Sequence, residues 1–356
     1  VEIGKILWEN DRKIKHKGLK LTTLAIIGSG IVGRSLLYNL TTQNFPFDKI
    51  LLFESEDFAF PCSQHSTAVV ASRGVTAGHS PLGDLLLEGF QLFFHHAKND
   101  NPKGVYSVKH YSGCETKLDQ FKKRYPFCES RRNFDELNFS KPFHFASEDA
   151  FMIEPTIYLN WLMEKSLEKL PLERVKEFVV DIRPGDKLEM VTQNGHKFQA
   201  DQVVLATGAY SRFWRNLSPN TKLSTSRSAK GSYLEFSDVN WNKSAFSLTL
   251  EGHNLIYHAH TKKLLLGSST DDVFHDLAPK NDLKKIYTFF KDHFEEDLPE
   301  FNLGQIKVGQ RERAQKRAPY LFNQKNIFHV GGLYKNGYIL GLKMTKILTH
   351  QLLESV

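Results

Sequence analysis

Cysteine is scarce in this chain: its 356 residues contain three, Cys62, Cys114 and Cys128, too widely spaced for a CxxC pair. A disulfide scaffold or a zinc cluster therefore does not organise the fold. No metal site is expected, and the usage suits a reducing, cytoplasmic setting. No stretch of 18 apolar residues occurs, which excludes a membrane-spanning helix. Repeats and low-complexity tracts are also missing. Residues 1–20 interleave apolar side chains with Glu, Asp, Lys and Arg and have no apolar core, so they are expected to form a surface extension and not a signal peptide. Charge is not one-sided: 47 Lys and Arg oppose 40 Asp and Glu, leaving +7, which suits anionic ligands without calling for nucleic acid. What is present is an ordinary globular mixture, 40% hydrophobic and 24% charged, long enough for two domains or one interleaved unit.

The first informative block is Leu24-Ala25-Ile26-Ile27, a wholly apolar run that reads as a buried parallel strand. It passes into Gly28-Ser29-Gly30-Ile31-Val32-Gly33, then a helical pattern over 35–40, then a second apolar strand, Lys49–Phe53, ending in Glu54. This is the strand–turn–helix–strand–acid order of a dinucleotide-binding unit. Gly28 permits the tight turn, Gly30 lets bare backbone approach a pyrophosphate, and Gly33 lets helix and strand pack closely. The helix N-terminus offers N–H groups and partial positive charge to phosphate. Glu54, 26 residues after Gly28, is placed to accept hydrogen bonds from an adenosine ribose, with Phe53 and Ser55 beside it. In the hydroxyl-rich loop that follows, 61–68, Ser63, His65, Ser66 and Thr67 are candidates to face the pyrophosphate.

Further blocks lie downstream. Residues 188–192 and 195–198 read as a hairpin, followed by a polar turn and a buried strand that stops at Ala206-Thr207-Gly208. Leu264-Leu265-Leu266-Gly267-Ser268-Ser269-Thr270-Asp271 is a strand and turn, and Gly309-Gln310-Arg311 has Pro319 ten residues after its glycine. Gly331-Gly332-Leu333-Tyr334-Lys335-Asn336-Gly337-Tyr338-Ile339-Leu340 closes the series. In this order, over about 21–353, the blocks resemble the FAD-dependent oxidoreductases of the D-amino-acid oxidase superfamily. They look like its Ala-Thr-Gly strand, its LLxGxT strand and turn, its GxR…P segment and the closing flavin loop of the glycine oxidase branch, close to the sarcosine oxidases.

The resemblance implies an α/β (α+β) fold. A Rossmann-like FAD-binding domain, residues 21–90, 150–226 and 319–356, would interleave with a mixed-sheet substrate domain, residues 91–149 and 227–318. It implies FAD, non-covalent since the last third has no cysteine for a covalent link. The cofactor residues would be Gly28, Ser29, Gly30, Ile31, Val32 and Gly33, then Val179, Ala206, Thr207 and Gly208, and finally Gly332, Tyr334, Lys335, Asn336, Gly337, Tyr338 and Ile339. Arg311 falls at the superfamily's carboxylate-binding arginine, and Lys335 at a basic position near the flavin's pyrimidine end. Amino-acid oxidases often carry a tyrosine on the strand before LLxG. Ungapped spacing puts Leu255 there, with His253 as its polar neighbour and Tyr257 two residues on. Arg313, Lys316 and Arg317 extend the basic run, either as a solvated face or as the site of a polyanionic substrate.

The implied reaction is oxidation of a C–N bond in an amino acid or other carboxylate-bearing amine. Hydride passes to flavin N5, the imine hydrolyses, and oxygen or another acceptor takes the electrons. Three alternatives stay open: trimming a carboxymethylaminomethyl group from a tRNA uridine, 2-hydroxyacid oxidation with His253 as base, and a non-catalytic FAD-binding assembly partner. Helices are expected at 85–97, 157–170, 284–294 and 345–353, and a half-exposed strand at 232–236.

Overall fold

The computed structural model describes residues 22–55, 61–78, 80–135, 137–217, 226–271 and 280–355. The expected extension, residues 1–20, lies outside them. The apolar runs become the inner strands of a six-stranded sheet. β1 (Thr23–Ile27) lies between β2 (Lys49–Phe53) and β11 (Gln202–Leu205). β7 (Leu172–Val175) continues one side, and β18 (Ile327–Gly331) and β17 (Tyr320–Gln324) the other. Neighbours are parallel except the β17–β18 hairpin. Parallel strands covered on both faces need apolar side chains on both, which is why Leu24, Ala25 and Ile26 are all fully buried.

The first helix, Ile31–Leu40, packs with Pro155–Leu167 and the C-terminal helix Gly337–Glu354 over one face of this sheet. Their shared core includes Leu36, Leu37, Leu162, Leu340 and Leu348. Over the other face lies a small antiparallel sheet: β8 (Val179–Arg183), β9 (Leu188–Thr192) and β10 (Lys197–Ala200), the last two forming the expected hairpin. Helix Pro81–Asn99 starts earlier than apolar periodicity suggests, because Ser80 Oγ accepts from Gly83 N–H at 3.1 Å and Pro81 fits the first turn. The C-terminal helix also begins early, straight out of the glycine loop at Asn336.

The second large sheet is mixed and wide. Its order is β16 (Gln305–Arg313), β12 (Arg227–Phe236), β15 (Lys263–Asp271), β14 (His253–His258), β13 (Phe246–Leu250), β4 (Val105–Cys114), β6 (Leu137–Ile153) and β3 (Val69–Val70). β5 (Glu129–Phe134) adds to β6. β13 and β4 are parallel, and the other pairs antiparallel. The helix Lys280–His293 covers one face through Leu283, Ile286 and Phe290, against Leu248, Leu255, Tyr257 and Leu266. On the opposite face, Met152, Tyr233, Ile256 and Leu265 cluster. Among the described residues no helix is long and apolar enough to cross a membrane.

Candidate active site

The turn after β1 accounts for its own glycines. Gly28 has φ +106°, which L side chains rarely adopt, and its N–H donates to the Phe53 carbonyl at 2.9 Å. A Cβ on Gly33 would overlap the Gly28 carbonyl, so this glycine sets the spacing of helix and strand. Ile31 N–H donates to Ser63 Oγ at 2.9 Å, and the Ser63 carbonyl accepts from Tyr338 OH at 2.6 Å. The loop at 61–68 therefore reaches the helix N-terminus through Ser63. Its other polar candidates serve their own surroundings: His65 Nδ1 lies 2.7 Å from the Val308 carbonyl, and Ser66 Oγ accepts from Ala68 N–H at 3.2 Å.

Glu54 is 9% exposed and already engaged. Ser29 Oγ donates to one carboxylate oxygen at 2.7 Å, and Arg174 Nε, from β7, to the other at 2.7 Å. Arg174 Nη2 reaches that same oxygen, so Oε1 is held by two nitrogens of the guanidinium, and Oε2, bonded to Ser29, keeps a further lone pair. The sequence reading missed Arg174, and Arg34 was missed as well. It is buried, donates through Nε to the Ser29 carbonyl at 2.8 Å and through Nη1 to Asn160 Oδ1 at 3.1 Å, and burial lowers its pKa while Glu54 opposes that shift. A cation in the apolar pattern of a helix that buries most of its first turn was the available signal.

Between these groups runs a cleft of about 490 Å³. Of the expected cofactor residues, Gly28, Ser29, Gly30, Ile31, Val32, Phe53, Glu54, Ser55, Ser63, Val179, Ala206, Thr207, Gly208, Gly332, Tyr334 and Gly337 line it. Gly33, His65, Ser66, Thr67, Lys335, Asn336, Tyr338 and Ile339 do not; Ile339, for example, presents its carbonyl to Gly89 of the neighbouring helix. Bare backbone meets the cleft at two places: a Cβ on Gly30 would approach only Ser63, at 3.0 Å, and one on Gly208 would meet nothing within 4 Å.

Arg311 also lines the cleft. β16 pairs with β12 so that Gly309 faces Gly231 and Arg311 faces Ala229. The guanidinium lies flat over Gly231, where any Cβ would collide with it. Its Nη1 is buried without a hydrogen-bond partner. The Cys62 thiol is raised by burial, against the lowering effect of the adjacent Arg311. Strand alternation turns Glu312 the other way. There its carboxylate accepts from Gly332 N–H at 2.9 Å and from Tyr320 OH, and burial raises its pKa. His329 lies beneath, with Nε2 3.4 Å from Tyr320 OH, and burial pushes it down to about 3, so it is neutral at pH 7. This buried carboxylate, hidden inside a basic run, is what ties the 331–334 loop to β16.

Two expected residues are elsewhere. Tyr257 is 2% exposed and donates its OH to the Trp241 carbonyl at 3.0 Å, in the core under helix Lys280–His293. The His253 ring packs against Phe289 of that helix at 5.4 Å. Residues 253, 255 and 257 share one face of β14, and that face belongs to the helix; Ile256 points the other way. None of the residues of β14 is among those that line the cleft. With His253 so placed, 2-hydroxyacid oxidation loses the base it relied on. The side chain of Lys316 is outside the described residues.

The sequence profile of a family described as FAD dependent oxidoreductase (DAO) matches residues 23–351. The chain belongs to this family. It is an FAD-dependent oxidoreductase, and FAD is its cofactor. No curated protein matches it by sequence. Among solved structures, glycine oxidase from Geobacillus kaustophilus is similar with TM-score 0.75 at 16% identity, covering 94% of this chain and 95% of that one. L-alpha-glycerophosphate oxidase from Mycoplasma pneumoniae, solved with FAD bound, has TM-score 0.74 at 13% identity over 93% and 95%. Iminodiacetate oxidase from Chelativorans sp. BNC1 has TM-score 0.71 at 14% identity over 93% and 95%. At these identities the likeness is one of fold. The cleft of this oxidoreductase suits its cofactor on its own terms: bare glycine backbone faces it at Gly30 and Gly208, and an anchored acid, Glu54, lines it.

Proposed function

We propose that this oxidoreductase oxidises the C–N bond of an amino acid or another carboxylate-bearing amine, as in the glycine oxidase branch, and that Arg311 holds the substrate carboxylate. The Arg311 guanidinium carries the reading. It lines the cofactor cleft and has a buried, unpartnered Nη1. A buried donor without an acceptor is costly, and the planar fork of arginine matches the two oxygens of a carboxylate.

Gly28 to Gly30 and the start of the first helix would take the pyrophosphate, and Glu54, steadied by Ser29 and Arg174, the ribose. Ala206 to Gly208 and the loop at 331–334 would flank the ring system. When bound, FAD supplies the two-electron acceptor for loss of hydride from the carbon beside nitrogen. Arg311 fixes that carbon by its carboxylate, Glu312 pins the Gly332 loop by hydrogen bonds, and the cations Arg311 and Lys335 favour negative charge in what binds near them. The product imine hydrolyses in water, and oxygen or another acceptor completes turnover. The same reading divides the chain into a cofactor part, residues 21–90, 150–226 and 319–356, and a substrate part, residues 91–149 and 227–318. Strand membership of the two large sheets supports it, with β3 and the end of β6 crossing the boundary. The three unpaired cysteines suit a cytoplasmic setting.

The test is anaerobic mixing of the purified protein with primary and secondary amino acids and with the matching amines that lack a carboxylate. Bleaching of the flavin by the former alone is expected. Equal bleaching by amines without a carboxylate rejects the assignment.

A further inference from the structure

Glu312 lines the cofactor cleft and is only 5% exposed. Its carboxylate accepts from Gly332 N–H at 2.9 Å and from Tyr320 OH, and the Tyr320 oxygen lies 3.4 Å from His329 Nε2. His329 is fully buried, and its Nδ1 has no hydrogen-bond partner. From β17, β18 and the closing loop, Glu312 is thus faced by a phenol, an imidazole that burial keeps neutral, and a backbone amide. Ser211, in the helical turns at Gly208–Leu217, and Ser226 add hydroxyls. On β12 the same face carries Ser228, opposite Glu312, and fully buried Lys230, opposite Gln310. Arg311 and Arg313 leave β16 on its other face, and Arg313, Arg317 and Lys335 gather on the Tyr334 ring, within 5.9 Å of its centre.

A carboxylate answered mainly by neutral donors is costly to keep ionised, and burial raises its pKa although each donor works the other way. No heavy atom has to move for it to gain a proton. With Glu312 ionised, the Tyr320 O–H points at it. With Glu312 protonated, the carboxyl can donate to the Tyr320 oxygen and Tyr320 to His329 Nε2, while Gly332 N–H keeps its acceptor. The His329 tautomer can follow the direction of this chain, because Nδ1 is tied to nothing. Hydride taken into the cleft brings one negative charge with it. The loop that Glu312 holds is the one read above as flanking the ring system, so an ionised Glu312 would meet that charge with its own.

We infer that Glu312 takes up a proton from solvent when the bound cofactor is reduced and releases it on reoxidation, with Tyr320 and His329 reversing their hydrogen bonds to hold it. Substrate oxidation delivers two electrons and one proton to the cofactor as hydride, and the proton from solvent rests on a Glu312 oxygen. The inference uses the reading that the loop at 331–334 flanks the ring system, and it is independent of the role given to Arg311.

The experiment is potentiometric titration of the FAD-loaded protein from about pH 5 to about pH 9, counting the protons taken up per two electrons from the pH dependence of the midpoint potential. Wild type should show a range with one proton more than the hydride carries. That range lies above the pKa of Glu312 beside oxidised cofactor and below its higher pKa beside reduced cofactor. Glu312→Gln should lose the extra proton. Tyr320→Phe, which removes a donor to the carboxylate, should move the range to higher pH, and it serves alone if Glu312→Gln does not hold FAD. The inference is overturned by an extra proton that persists in Glu312→Gln, by one that the reduced flavin's absorption places on the flavin itself, by a range that Tyr320→Phe leaves in place, or by no extra proton in wild type. Altered absorption bands of the oxidised flavin in Glu312→Gln report separately that the loop lies beside the ring. Unchanged bands together with an unchanged proton count remove that reading as well.

Discussion

Glu54→Ala and Arg174→Ala separate the structural task of one carboxylate from the ribose-binding task proposed for it. Glu54 holds β7 to the end of β2 through Arg174, and it also lines the cleft, with one lone pair of Oε2 unused. The side chains are 9% and 39% exposed, so the pair lies between a surface ion pair, below about 1 kcal/mol, and a buried one, where loss of a partner costs about 3–5 kcal/mol. Arg174→Ala should therefore lower the stability of the FAD-free protein by about 1–2 kcal/mol, read as a fall of a few degrees in melting temperature. Glu54→Ala should do the same and also remove hydrogen bonds from the ribose to a charged acceptor. At about 1.5–3 kcal/mol, that is roughly 10–150-fold in the Kd for FAD. The assay is quenching of FAD fluorescence on titration of apoprotein, alongside a thermal scan without cofactor. Arg174→Ala should weaken FAD much less than Glu54→Ala does, because the acceptor stays in place. If Glu54→Ala lowers the melting temperature but leaves the FAD Kd within twofold of wild type, Glu54 is a structural acid only and the ribose assignment fails.

Arg311→Lys keeps the charge but loses the planar fork, so kcat/KM on a carboxylate-bearing amine should fall; Arg311→Ala should cost about 3 kcal/mol, roughly a hundredfold, with normal FAD content, and wild-type rates in both would make Arg311 a bystander. Lys335 is cationic below about 8 and neutral above it, so affinity for an anionic ligand should drop as pH rises through about 8; a Lys335→Gln variant should lack that step, and an identical step in the variant would assign it to another group. Tyr257→Phe should lower stability by about 1 kcal/mol through loss of the bond to the Trp241 carbonyl and leave kcat unchanged, whereas a tenfold fall in kcat would return Tyr257 to the active site. Gly30→Val should give colourless protein, since its side chain would fill the space kept clear beside Ser63; a yellow, FAD-saturated variant would show that the turn does not meet the pyrophosphate.

By itself the sequence determined the features that depend on neighbours in the chain. The apolar run into Gly28, the helix that follows and the second strand ending in acid are local steps, each with one backbone geometry that satisfies it, and they appear as read. So does the hairpin of β9 and β10, because its alternation and turn are contained in a dozen residues. Tertiary structure decided everything that needed a second, distant surface. Arg174 reaches Glu54 across 120 positions only because β7 lies beside β2 in parallel register, with Leu52 opposite Arg174. What covers each face of β14 was unreadable because both faces are apolar, one under the helix Lys280–His293 and the other in the cluster with Tyr233 and Leu265. Period-two alternation says which residues share a face, not what covers it. The sequence shows a basic run from Arg311 to Arg317 with Glu312 inside it; pairing with β12 sends Arg311 and Arg313 one way and Glu312 the other, into a buried bond with Gly332. The gathering of Arg313, Arg317 and Lys335 on the Tyr334 ring has the same origin: separate segments brought together by the packing of β16 against the closing loop, which no local pattern encodes.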